Sequence, residues 1–196
     1  MRALALTGLL LVVAVLARAG EAPVPDALVW RDAGRLGTGD PARIAAPVAR
    51  DSLRLLYFTA TWCGPCKLVS REVFDHAEGR AELAHYDLVH VDLDSKAGQA
   101  LSDRYRVATV PTFVVVEVDG KEVDRVRGYR SRRLLLRDLA RFRSGRGTLG
   151  DLQRRLDSRP DDPALQAALG LRHLARLDLD VAAELLGAGL APPGAL

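Results

Sequence analysis

Two cysteines, Cys63 and Cys66, are the only thiols in a chain of 196 residues, and they stand in the stretch TATWCGPCKLV (59–69). A Cys-x-x-Cys pair can carry two electrons, supply half of a metal site, or close a small structural loop. A redox pair places one sulfur at a helix start, where unpaired N–H groups and the positive end of the macrodipole favour a thiolate. The second sulfur then lies in the next turn, within reach of a mixed disulfide formed at the first. The motif suits that arrangement: Gly64 allows a tight approach to the helix, and Pro65 is tolerated in a first turn because its missing N–H has little work there. A Cys2His2 metal site would draw in His85 and His90. The 18 residues between Cys66 and His85 are longer than the usual spacing and hold a predicted helix, and His90 falls inside a predicted strand.

The elements that must position the pair follow from periodicity. LRLLYFT (53–59) reads as a strand running directly into the motif. Cys66, Val69, Ser70, Val73, Phe74 and Ala77 form one stripe of a helix leaving it, with Lys67, Arg71, Glu72 and Asp75 outside. YDLVHVDLD (86–94) reads as a buried strand and GQALSDRYRV (98–107) as a short helix. PTFVVVEVDGKEVDRVRGY (111–129) gives two strands around an Asp119–Gly120 turn, and SRRLLLRDLARFRS (131–144) a closing helix capped by Ser131. The order β, α, β, α, β, β, α predicts an α/β layered domain with a hairpin at one side, over residues 41–145. Upstream, 20–40 reads as a linker or edge segment, with Ala27 to Trp30 as an edge strand. A helix is expected from Asp40, its N-cap, and Pro41, its first residue; Pro47 would kink or split it.

Past Gly145 and Gly147 the character changes to three short helices, a small all-α extension over 148–190. With Pro163 as the first position of a 34-residue repeat, Gly170 and Ala182 fall where helix packing needs small residues, as in a tetratricopeptide unit. An ordinary helical extension packed on the first domain is the alternative.

Residues 1–19 have the layout of a secretory signal: Arg2, an apolar run from Leu4 to Leu16, then Ala17-Arg18-Ala19. The run is shorter than the ~20 residues that cross a bilayer, so a cleaved signal is expected, with an uncleaved anchor as the alternative. Its removal shifts the balance of Lys+Arg against Asp+Glu from 28:25 to 26:25. A nearly neutral mature chain makes no case for nucleic acid. One local exception is the segment Arg125–Arg146, which holds nine arginines against a single acid, Asp138; it reads as a solvated helix face, with a surface for an acidic partner or anionic lipid as the alternative.

WCGPCK, preceded by an apolar strand and followed some 45 residues later by VPT before another strand, resembles the thioredoxin superfamily over residues 52–143. The resemblance implies a central mixed sheet flanked by helices and a thiol–disulfide oxidoreductase activity. Cys63 would be the exposed nucleophile, Cys66 the resolving thiol and Pro111 a cis-proline opposite them. Val110 would offer backbone hydrogen bonds to a substrate strand, with Trp62, Gly64 and Pro65 lining its groove. No metal or other cofactor is implied beyond the redox-active disulfide. Expected partners are disulfide-containing proteins and a membrane electron-transfer partner, with the C-terminal helices available for docking. The expected location is the periplasm. One departure stands out: where many thioredoxins carry a buried aspartate, five residues ahead of the tryptophan, this chain has Tyr57. Phenols ionise near pH 10 and make poor bases at neutrality, so Tyr57 and His90 are the proton-transfer candidates that need examination.

Overall fold

The computed structural model describes residues 24–34 and 53–190; the signal segment and the helix expected from Asp40 lie outside the described residues. The sheet is built around β2 (Arg54–Thr59), buried at every position, as its nearly continuous apolar sequence requires. β3 (Asp87–Asp92) pairs with it in parallel, from Arg54 opposite Asp87 to Thr59 opposite Asp92. Parallel neighbours need a crossover, here supplied by helices between the strands. The edge strand β1 (Trp30–Asp32) pairs in parallel with β3, slightly later in the chain than Ala27 to Trp30. On the other side β4 (Thr112–Val116) runs antiparallel to β2, and β5 (Glu122–Arg127) antiparallel to β4, completing the order β1-β3-β2-β4-β5.

Alternation along these strands divides the core between two faces. Leu55, Tyr57, Leu88, Phe113 and Val115 point to one face, together with both cysteines, Val69, Val73, Leu135, Leu139 and Phe142. Leu56, Phe58, Val89, Val91, Val114 and Val116 point to the other, against Leu101 and Tyr105.

The helix after the cysteine motif differs from the expected single element. α1 (Gly64–Val69) passes into a π-helical turn over Ser70–Phe74 and ends at Asp75. The chain extends at His76, and α2 (Ala77–Leu83) begins anew. Gly79 is the residue at the join: a Cβ there would stand 1.8 Å from the Val73 carbonyl oxygen, so its absence lets α2 pack tightly on the end of the turn. Ser70 is exposed rather than part of the apolar stripe.

α3 (Lys96–Tyr105), capped by the Ser95 hydroxyl, and α4 (Arg132–Arg143), capped by Ser131, follow the sequence closely. The hairpin between β4 and β5 is longer than a two-residue turn. Glu117 N–H donates to Lys121 O at 2.8 Å, Gly120 has φ 84°, and the pairing shifts between Val115 and Val116.

The C-terminal extension consists of α5 (Leu149–Ser158), α6 (Pro163–Ala175) and α7 (Leu179–Leu190). Leu152, Leu156, Leu165 and Leu169 make a small core of their own. Where α6 and α7 meet, a Cβ on Gly170 would lie 2.8 Å from Leu186 Cγ, and Ala182 is buried, so both small-residue positions do the packing expected of them. Ion pairs cross from the extension to β5: Arg172 reaches Asp124 at 3.5 Å and Arg176 reaches Glu122 at 3.6 Å, while Arg141 of α4 reaches the same Asp124 at 3.3 Å.

Candidate active site

β2 delivers the chain to Ala60, whose carbonyl accepts the Cys63 N–H at 3.1 Å, and the helix then starts at once. Cys63 is the N-cap of α1, with extended backbone (φ −77°, ψ 102°) and Pro65 in the first turn. Its sulfur accepts the Cys66 N–H at 3.1 Å, the bond a capping oxygen would ordinarily make. Any negative charge on Cys63 Sγ would thus meet an amide donor and the helix's positive end. The sulfurs of Cys63 and Cys66 are joined as a disulfide, with Cα atoms 5.3 Å apart.

Cys63 is not the exposed member of the pair in this oxidised form. Both residues are nearly covered, Cys63 3% and Cys66 5% accessible, and both belong to the packed cluster on this face of the sheet. Trp62 beside them is 67% exposed. Its indole N–H donates to Asp94 Oδ1 at 3.1 Å, and the Thr61 hydroxyl donates to Asp94 Oδ2 at 3.4 Å. Gly64 and Pro65 are exposed at the helix tip.

The Val110–Pro111 peptide is cis. Pro111 is buried and Val110 half-buried against the cluster that contains both cysteines. The Pro111 carbonyl is taken up internally by the N–H of Gly128 at 2.8 Å, and Gly128 has φ 72°, which favours glycine.

Beneath the disulfide lies an aromatic cluster. Tyr57 stacks on Phe113 with centroids 5.0 Å apart and meets Phe74, Trp30 and His90 at 5.1, 5.8 and 6.0 Å. The Tyr57 hydroxyl donates to the Cys66 carbonyl at 3.4 Å. Burial pushes its phenol above the ordinary 10.0, a hydrogen bond involving Thr59 drawing it partly back. Tyr57 is therefore protonated at neutral pH and acts on the site as a donor to backbone and an apolar floor. An open cleft of about 390 Å³ runs past it, lined among others by Cys63, Cys66, Lys67, Trp30, Tyr57 and His90. His90 thus shares the cleft with Cys66. His85, the other histidine of the metal alternative, is exposed, and among the described residues no group of three or more His, Cys, Asp or Glu could hold a metal ion.

Three participants were not singled out from sequence. Trp30 comes from the three-residue edge strand and depends on a long-range pairing. Asp94 had no local signal beyond its place at a strand end. Gly128 was readable only as a hairpin residue, since its partner Pro111 is distant in sequence.

A model of the thioredoxin-like domain matches residues 42–142. A thioredoxin of Chlamydia trachomatis is 38% identical over 85 residues, covering 43% of this chain and 78% of that protein. A TPR repeat-containing thioredoxin of Arabidopsis thaliana is 38% identical over 87 residues, which make up 44% of this chain and 21% of that much longer relative. The solution structure of a thioredoxin from Thermus thermophilus shares 27% identity at a TM-score of 0.49, covering 59% of this chain and 86% of that one. With a helix-capping disulfide, a cis-proline and a domain match over half its length, the chain belongs to the thioredoxin-like family of thiol–disulfide oxidoreductases.

Proposed function

We propose that the protein is an exported reductant of protein disulfides, working in the periplasm. The observation that carries the chemistry is the capping geometry: Cys63 Sγ sits at the amide end of α1 and accepts the Cys66 N–H. In the dithiol form, Cys63 thiolate attacks one sulfur of a substrate disulfide, forming a mixed disulfide and releasing the first substrate thiolate. Cys66, deprotonated, then attacks Cys63 Sγ; the Cys63–Cys66 bond forms and the second substrate thiolate leaves. Two electrons pass from the pair to the substrate, and each released thiolate takes up a proton. Trp62, Gly64, Pro65, Val110 and Pro111 are the residues we assign to substrate binding, and His90 is our candidate to receive the Cys66 proton through the shared cleft.

Export rests on the layout of residues 1–19, and an uncleaved segment would tether the same domain to the membrane. A reductant outside the cytosol consumes electrons that must cross the membrane, so we assign it a membrane electron-transfer partner that reduces the Cys63–Cys66 disulfide. The direction follows from the resemblance of the Gly-Pro insert to thioredoxins, whose potential is about −270 mV, whereas strong oxidants of this chemistry lie near −120 mV. Equilibrating the mature protein with a thiol–disulfide buffer series measures the potential. A value near the strong-oxidant end would reverse the assigned direction.

A second reading treats the helical extension as a docking module. Leu171, Leu174, Leu179 and Val181 are exposed on α6 and α7, which favours a protein partner there. Replacing Leu171 and Leu174 by serine in the full chain and comparing the proteins trapped by a Cys66→Ser variant tests it. An unchanged set assigns the extension a purely structural role.

A further inference from the structure

The arginine-rich segment is resolved by the fold into two populations. Arg125, Arg132, Arg137, Arg141 and Arg143 are paired with Glu122, Glu78, Asp138, Asp124 and Glu82. Arg127, Arg130, Arg133 and Arg146 are exposed and make no ion pair among the described residues. Three of these four lie between Arg127 and Arg133, where β5 turns into α4.

That turn is fixed at both ends against the redox site. At one end Arg127 pairs in register with Thr112, the residue after the cis-proline, and Gly128 N–H bonds the Pro111 carbonyl at 2.8 Å. At the other, the Tyr129 hydroxyl donates to the Glu72 carboxylate. Arg132 donates to the Glu72 carbonyl at 3.3 Å and to Glu78 at 3.1 Å. Glu72 belongs to the π-helical turn that continues the cysteine-bearing helix. Arg130 is exposed between the two anchors, and Arg133 lies in the first turn of α4, where no acid offsets the positive helix end. Of the nearby carboxylates, Glu78 is ion-paired with Arg132, whereas Glu72 and Asp94 are held only by neutral side-chain donors, Tyr129 for the first and Trp62 and Thr61 for the second. The turn anchored to the cis-proline segment and to the cysteine-bearing helix thus carries three exposed arginines that make no ion pair among the described residues.

We propose that Arg127, Arg130 and Arg133 form a cationic rim on the cis-proline side of the disulfide that selects protein disulfides flanked by acidic residues. The proposal rests on the reductase reading and adds the substrate class. Complementary charge at the edge of a binding groove acts mainly on encounter rates and discrimination between partners, and it weakens with salt.

The test uses the reduced full chain and three synthetic peptides, each with one intramolecular disulfide flanked by glutamates, serines or lysines. At about 0.01 M salt the glutamate peptide should be reduced roughly tenfold faster than the lysine peptide; in about 1 M salt, where screening acts within about 3 Å, the ratio should approach one. Combined Arg127→Ser, Arg130→Ser and Arg133→Ser should bring the low-salt ratio below about two, whereas Arg146→Ser should keep it. Equal rates for the three peptides, or a preference that survives high salt, overturn the rim and leave the reductase reading standing. Should the triple variant fail to fold, the salt dependence of the natural protein decides alone. Reduction of none of the peptides overturns the reductase reading and the rim together.

Discussion

The two ends of the β4–β5 hairpin are held by different forces. At the redox end, β5 leaves through Gly128, whose N–H bonds the cis-proline carbonyl, above an aromatic floor of Tyr57, Phe113 and Phe74. At the turn end, Glu122 and Asp124 gather Arg125, Arg141, Arg172 and Arg176, and through them the helical extension is attached. Asp124 precedes Arg127 by three residues, about 10 Å along an extended strand. The redox end relies on backbone bonds and apolar packing, which salt and moderate pH barely touch. The junction with the extension carries partly buried ion pairs, which both can alter. Chemistry and attachment should therefore be separable by substitution.

The largest separation is expected from Cys63→Ser. It removes the attacking sulfur, so disulfide reduction should fall by more than about 10³-fold, while the thermal transition of the extension stays in place. Loss of the extension's transition in that variant would mean that the two ends are coupled.

Gly170→Val is the converse experiment. Its Cβ would meet Leu186 Cγ at 2.8 Å and Leu185 Cβ at 3.2 Å, so overpacking should destabilise the α6–α7 pair by about 1–3 kcal/mol. Differential hydrogen exchange should place the loss in the extension, with reduction of a small peptide disulfide unaltered.

Asp124 gives a smaller and more diagnostic effect. Burial raises its carboxyl pKa above the ordinary 3.8 despite Arg172 and Arg141, and burial likewise lowers Arg141, so desolvation outweighs the attraction between them. Since the folded pKa is raised, the carboxylate carries its full penalty above that folded value. The penalty is relieved as pH falls from there towards 3.8. Asp124→Asn keeps an acceptor for the Arg125 N–H but leaves Arg141 and Arg172 with a neutral partner, so the relieved burial penalty offsets part of the lost attraction and stability at pH 7 should change by less than about 1 kcal/mol. The difference should shrink on acidification. A variant strongly destabilised at neutral pH would show that the ion pair itself holds the junction.

Tyr57→Phe should have the smallest effect. It removes a 3.4 Å bond to the Cys66 carbonyl and keeps the ring stacked on Phe113, so peptide reduction at pH 7 should stay within about twofold. A drop of tenfold or more would return a proton-transfer role to the phenol.

Much of the redox end was legible in the sequence because its determinants are local. Ser131 caps the helix that periodicity placed after it, and the apolar run 53–59 reads as the strand that forms. Gly170 and Ala182 marked the helix crossing in the extension through their small size at set positions of a 34-residue repeat. What escaped depends on contacts between distant segments. The break at Asp75 and His76 carries no proline and is visible only once Gly79 is seen against the Val73 carbonyl. Covering of Cys63 depends on its packing in a cluster assembled from β2, β4 and α4, segments far apart in sequence. The arginines looked alike in sequence, and only their partners on α2, α4 and the hairpin divide them.

Trp30, supplied by the three-residue edge strand ahead of the matched domain, also gives the protein an optical property. The chain has two tryptophans, and both attend the disulfide: Trp62 precedes Cys63, and Trp30 lines the cleft with Cys66. Indole emission from this molecule therefore originates wholly from the surroundings of the redox pair, and none of it from the helical extension. Opening and closing of the disulfide can be followed in the unlabelled protein as a change in its own fluorescence.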